Sequence, residues 1–245
     1  MIDTPSARSA WPELAERLTR ALHPLAAPVA ITFVDAPRVD IPAFDAVMPE
    51  PTPDGRTGRV AAGCVFWMHA AERTFTTAPD DHANCSVGSY THGLLSLEEA
   101  ATNADVGALV ESGWVSPEAF AGIPAVTTRP AFITYGPLAE TRADPSVILL
   151  RLNAQGMMVM TDALPDLRIE GKPQCHIIAV AREHGRVAAS VGCALSRART
   201  GMGAHALTCA IPAAIAEDVI ERVERAAATD AVVTRYAATD AQRFR

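Results

Sequence analysis

Residues 64–93, CVFWMHAAERTFTTAPDDHANCSVGSYTHG, and residues 175–201, CHIIAVAREHGRVAASVGCALSRARTG, run through the same order of features. Each begins with a cysteine and a short apolar segment. A turn and a strand candidate rich in Thr, Val or Ala follow, and then a second cysteine before a small-residue loop. Internal self-similarity constrains a fold more than any local signal, because repeated units must bury matching faces. The alignment pairs Cys64 with Cys175 and Cys85 with Cys193, so four of the chain's five cysteines occupy two equivalent places. That is what a buried four-thiolate site between two halves requires. The expected fold is α+β, made of two similar α/β half-domains related by an internal pseudo-twofold. The halves cover about 24–125 and 143–228, follow an N-terminal helix within 1–23, and pack as one compact unit because neither half alone carries a complete site.

Size and charge narrow the classes of function. At 245 residues with 49% hydrophobic content the chain can bury a large core, and with only 5% aromatics that core is filled by aliphatics and alanine. Lysine and arginine total 21 against 28 acidic residues, a net charge of −7, which argues against a nucleic-acid surface. No run approaches the ~18 apolar residues of a membrane span. The N-terminus lacks the basic start and apolar stretch of a secretory signal. A cytoplasmic address is therefore expected, where thiols stay reduced and serve as ligands or nucleophiles rather than disulfides. Lys172 is the sole lysine, and Pro173 beside it reads as loop.

Local signals place the elements. Residues 11–22 form an amphipathic helix opened by Ser9. Strands are expected at 28–34, 73–77, 145–153, 186–191 and 207–211. Residues 61–70 read as a helix by analogy with 175–183, which Gly185 caps. A helix over 97–112 has Ser96 as N-cap and Glu99 at the capping-box position. Ser116-Pro117 opens a short helix, 155–161 forms another, and 213–228 a longer one before a short polar tail. Residues 193–203 read as a loop bearing glycine and arginine. The Pro- and Asp-rich stretch 36–59 reads as a loop long enough to cover a site.

The cysteines lack the Cys-x₂₋₄-Cys knuckles of structural zinc sites. Cys64 and Cys85 are 21 positions apart, and Cys175 and Cys193 are 18 apart. Dispersed ligands suit an iron–sulfur cluster, which takes thiolates from around a volume larger than one ion. Nearby glycines free backbone N–H groups to approach sulfur, and Ser86 and Ala194 leave space. The reading is a [4Fe–4S] protein with Cys64, Cys85, Cys175 and Cys193 as ligands, acting as a redox protein or as an oxidoreductase or lyase on a small molecule. Its partner would be an electron-transfer protein or a small-molecule substrate. His82 and His176 are the proton-transfer candidates, with His92 also close to a cysteine in sequence, and Asp80-Asp81 offers a carboxylate to fix the His82 tautomer. Arg197 and Arg199 could anchor an anionic substrate or offset cluster charge. Three alternatives stand beside this: a zinc-stabilised interaction protein, a metal-free enzyme with Cys85 activated by His82, and cysteines that merely pack as small hydrophobes. Cys209, outside the repeat, is expected in the core. No GxGxxG, P-loop or Gly-x-Ser-x-Gly motif occurs.

Gly63-Cys64 with Phe66-Trp67, Cys85-x-x-Gly88 followed by Gly93, Cys175, and Gly192-Cys193-x-x-x-Arg197 resemble the DUF169 family over about 24–228. The resemblance implies a cysteine-rich cytoplasmic protein with a metal or iron–sulfur role, and no particular reaction. Ser86 stands where the family pattern leads one to expect proline, and Ala194-Leu195 where it leads one to expect a smaller pair.

Overall fold

The computed structural model describes residues 10–45 and 63–244. The Ser9 cap, the first nine residues of the N-terminal segment and most of the 36–59 loop lie outside them. Mixed α/β architecture is plain. Seven strands form one sheet: β1 (Val29–Val34), β2 (Phe75–Thr77), β3 (Phe132–Pro137), β4 (Val147–Leu152), β5 (Ile169–Glu170), β6 (Ala188–Ser190) and β7 (Leu207–Pro212), in the order β2-β3-β1-β4-β7-β6-β5. All neighbours are antiparallel except β5 and β6. The middle ladder joins β1 to β4 through Val29↔Leu149, Ala30↔Ile148 and Ile31↔Val147.

Successive strand side chains point to opposite faces, and each face has its own core. Val29, Ile31, Ile133, Tyr135, Val147 and Leu149 face one side. There they meet α2 (Gly63–His69), α3 (Ser86–Thr91) and α8 (His176–His184). Ala30, Ile148, Leu150, Leu152, Cys209 and Ile211 face the other, against α1 (Ala10–Leu22), α7 (Ala154–Ala163) and α10 (Ala216–Asp240). Helix α1 buries Leu14, Ala15, Leu18 and Leu22, the one-sided stripe of an amphipathic helix. Its Arg17 reaches Glu224 of α10 at 2.8 Å. Cys209 is fully buried, as expected of a core residue, and burial pushes its thiol up to about 12.

Four expectations need correction. The expected helix over 97–112 is two, α4 (Leu97–Ala101) and α5 (Ala104–Glu111), because the chain turns at Thr102 and re-enters through Asn103. The capping box is present: Glu99 N–H donates to Ser96 Oγ at 3.1 Å, and Ser96 N–H to the Glu99 carboxylate at 2.7 Å. Residues 193–203 are not a loop. They hold α9 (Ala194–Thr200), closed by Gly201 at φ 66°, a left-handed position that suits glycine. Likewise α3 replaces the small-residue loop after Cys85. The polar tail continues α10 to Asp240. In addition, β3 falls at 132–137, in the stretch between the two expected halves, yet pairs with both β1 and β2. The short helix α6 (Pro117–Ala121) is capped by Ser116 Oγ, which accepts from Ala119 N–H at 3.1 Å.

Candidate functional site

The four repeat cysteines, drawn from both halves of the chain, line one pocket. Each sits at the start of a helix: Cys64 is the second residue of α2, and Cys85, Cys175 and Cys193 are the N-caps of α3, α8 and α9. Helix α2 packs against α9, and α3 against α8 and α2, so elements far apart in sequence bring the four starts together. The Cys85 thiol caps its helix by accepting from Gly88 N–H at 3.4 Å. Cys193 does the same for Ser196 N–H at 3.4 Å. Helix starts carry unsatisfied N–H groups and partial positive charge, which draw negative charge toward them.

The sulfurs sense one another. Burial pushes the Cys64 thiol up to about 11; a hydrogen bond with Ser196 opposes the rise, and Cys85 and Cys193 add to it. Burial also drives Cys175 well above the ordinary thiol range, with Cys85, Cys193 and Cys64 adding and a hydrogen bond with Thr91 opposing. Each of these thiols therefore leans on a residue from the other half: Cys64 on Ser196 of α9, Cys175 on Thr91 of α3. Arg199 lines the pocket and hydrogen-bonds Cys85. Burial lowers its basicity, but the Cys85 and Cys64 sulfurs more than compensate and the net shift is upward.

Trp114, Gln174, Leu195 and Val87 complete the walls. The cavity measures about 20 Å³. One water needs ~10–15 Å³ on that measure, so a larger guest must spread the sulfurs. Outside the lining, Lys172 Nζ stands 4.6 Å from the centroid of the Trp114 ring. Among the described residues no group of three or more His, Cys, Asp or Glu side chains is gathered to hold a single metal ion.

The remaining sequence candidates lie elsewhere. Arg197 is absent from the pocket: its guanidinium donates to the carbonyls of Val191 (2.6 Å), Ala206 (3.0 Å) and Gly203, tying the end of β6 to the approach of β7. His176 sits behind Cys175, with Nδ1 against the Pro173 carbonyl and Nε2 2.5 Å from Glu170 Oε2. His82 is buried behind Gly63. Its Nε2 faces Thr77 Oγ1 at 3.0 Å, while Asp81, one of the two carboxylates expected to fix the tautomer, instead accepts from Ala78 N–H at 2.8 Å. Sequence reasoning missed Trp114, Gln174 and Ser196. Only Ser196 carried a signal, three residues after Cys193, where an N-cap's partner N–H falls.

A seven-stranded sheet with helices on both faces and a thiol-lined pocket where four helices begin defines a mixed α/β protein with a cysteine-based site. The chain belongs to the DUF169 family, described as uncharacterised ArCR, whose model matches residues 17–222. No curated protein and no solved structure matches it. Among the described residues, no helix is long and apolar enough to cross a membrane.

Proposed function

We propose that this protein binds an iron–sulfur cluster, of the [4Fe–4S] type, through Cys64, Cys85, Cys175 and Cys193. In this role it serves as a redox protein or as an oxidoreductase or lyase on a small molecule. The observation that carries the reading is the convergence of four thiols and four helix starts on one pocket. Thiolates around a cluster leave net negative charge, which helix starts, Arg199 and the N–H groups of Gly88 and Ser196 are placed to offset. Neither His82 nor His176 lines the pocket, which weighs against a Cys85–His82 nucleophile pair.

The proposed roles of the residues follow. The four cysteines hold the cluster. Trp114, Val87 and Leu195 exclude water from it, and Arg199 holds the Cys85 sulfur. Lys172, held over the ring of Trp114, would meet an anionic substrate or an acidic partner surface. When bound, the cluster supplies one-electron chemistry, or Lewis acidity at an iron left open.

The two-half reading belongs with this one. The strand order β2-β3-β1-β4-β7-β6 keeps its form when β1, β2 and β3 are exchanged for β4, β6 and β7. Both β3 and β7 end in a proline and pass into a 3₁₀ turn, Leu138–Glu140 and Ala213–Ile215. Both α3 and α9 are capped by a thiol at 3.4 Å. On this reading the first half extends past residue 125 to include β3.

The test is anaerobic reconstitution with iron and sulfide. Expected are about four irons and four sulfides per chain and broad absorbance near ~400 nm. Cys→Ser at any of the four positions should lower the iron content, and Cys209→Ser should not. A colourless protein with no bound iron after reconstitution, or iron unaffected by all four substitutions, refutes the proposal.

A further inference from the structure

Two histidines behind Gly63 have no role in the thiol pocket. His82 and His92 are buried, 1% and 0% exposed, with ring centroids 5.8 Å apart. The Gly88 carbonyl can only accept, so His92 Nδ1, 2.8 Å from it, bears the proton. Thr77 donates its hydroxyl hydrogen to the Ile133 carbonyl at 3.1 Å, so it accepts from His82 Nε2. Each neutral ring therefore keeps a bare lone pair, at His82 Nδ1 and His92 Nε2. Neither atom has a hydrogen-bond partner, and both lie 3.7 Å from where a Cβ on Gly63 would stand. Glycine keeps that space open, since a methyl there would sit 3.3 Å from His92 Cε1. Phe66 (4.5 Å from the His82 ring) and Trp67 (6.2 Å from the His92 ring) wall it with aromatic faces. The Tyr135 hydroxyl and Trp67 Nε1 are likewise buried without partners.

We propose that His82 Nδ1 and His92 Nε2 form a second metal site, taking one monovalent late-transition cation of the Cu⁺ class between them. Metal-binding histidines characteristically donate their other N–H to a carbonyl or similar acceptor, which fixes the tautomer, and both rings do so here. Metal ligation requires neutral imidazole. Burial lowers the His82 pKa well below the usual range and that of His92 to about 4. The donor set is two neutral nitrogens with no third His, Cys, Asp or Glu grouped around them among the described residues. A buried charge without a carboxylate to balance it is costly, which selects a singly charged ion over a divalent one. Imidazole suits copper, and aromatic faces favour a cation. Gly63 also lines the thiol pocket, so the two sites share a border. This site stands or falls independently of the iron–sulfur reading.

The test uses Ag⁺, a redox-inert stand-in for Cu⁺, on the full chain carrying Cys→Ser at 64, 85, 175 and 193 and Cys209→Ala. The expected result is one Ag⁺ per chain, with affinity falling at least tenfold on His92→Phe or His82→Phe. Should that variant not fold, ¹⁵N spectra of the wild-type imidazoles, recorded with Ag⁺ added beyond saturation of the five thiols, ask the same question. Bound Ag⁺ should shift His82 Nδ1 and His92 Nε2 together and leave the exposed His23 and His184 in place. Three outcomes would overturn the proposal: Ag⁺ uptake indifferent to both histidine substitutions, imidazole nitrogens that do not move once Ag⁺ has saturated the five thiols and remains in excess, or a crystallographic water bridging the two nitrogens that Ag⁺ does not displace.

Discussion

His92 offers a stability test whose size follows from its surroundings. Burial lowers its pKa from 6.5 to about 4, and the hydrogen bond to the Gly88 carbonyl recovers only part of the shift. As pH falls below 6.5 the unfolded chain takes up a proton at this position, while the folded chain resists until about pH 4. The unfolded state then binds more protons, so folding stability drops as pH falls through that window. A shift of about 2.5 units at 1.36 kcal/mol each corresponds to a loss of about 3 kcal/mol. His82 acts in the same direction. The assay is urea unfolding of the metal-free chain between about pH 7 and pH 4, wild type beside His92→Gln. Glutamine takes no proton, so the wild-type curve should fall about 3 kcal/mol further than the variant's; groups that do not sense His92 cancel in the comparison, whereas His82 loses the part of its lowering that a charged His92 causes, which adds to the difference. Parallel curves would show that His92 is protonated in the folded state without cost, and the reasoning about its dry, apolar setting would be wrong.

Other expectations are shorter to state. Phe66→Ala removes a fully buried ring in edge contact with Phe44 at 5.0 Å; chemical denaturation should register a loss of about 3–5 kcal/mol. Arg197→Ala strips donors from three backbone carbonyls and should cost about 2–3 kcal/mol of stability, whereas Arg199→Gln should chiefly lower iron incorporation. Equal effects of the two on both measurements would contradict their division of labour. With its thiol at about 11, Cys64 in the metal-free protein should alkylate at pH 8 on the order of 100-fold more slowly than an ordinary thiol near ~8.5. Mass spectrometry after iodoacetamide treatment reads this directly, and labelling of Cys64 at the rate of a small-molecule thiol would count against its burial.

What the sequence disclosed about the site was pairing. The two Cys-to-Cys stretches identified four residues that share a pocket, although nothing in the local sequence says which helices cross. Strands β1, β4 and β7 were legible because each is a β-branched or aliphatic run buried on both faces. Strand β3 was not, since Phe132-Ile-Thr-Tyr follows Pro130 closely and ends at Gly136-Pro137, and so reads as an interrupted loop. Residues 194–200 form a helix against the pull of two serine or threonine residues and a flanking glycine. The thiol cap on Ser196 N–H and the left-handed Gly201 close its ends, and neither is visible as a hydrophobic period. His82 was misread because Asp80-Asp81 looked like its partner in sequence, whereas the 3₁₀ turn Pro79–His82 turns Asp81 back on its own backbone and leaves the imidazole to Thr77.

Pocket walls contributed by α2, α3, α8 and α9 impose an order on biosynthesis. Cys193 leaves the ribosome 129 residues behind Cys64 (193 − 64), which at ~5–20 residues per second is roughly 6 to 26 s. Until Cys175 follows, Cys64 and Cys85 emerge with no counterparts. No truncated product ending before α9 contains all four pocket cysteines, so any ligand that needs all four can be taken up only after nearly all of the sheet has been translated. An interval of that length is one in which a scavenging metal or an oxidant can reach Cys64 and Cys85 first.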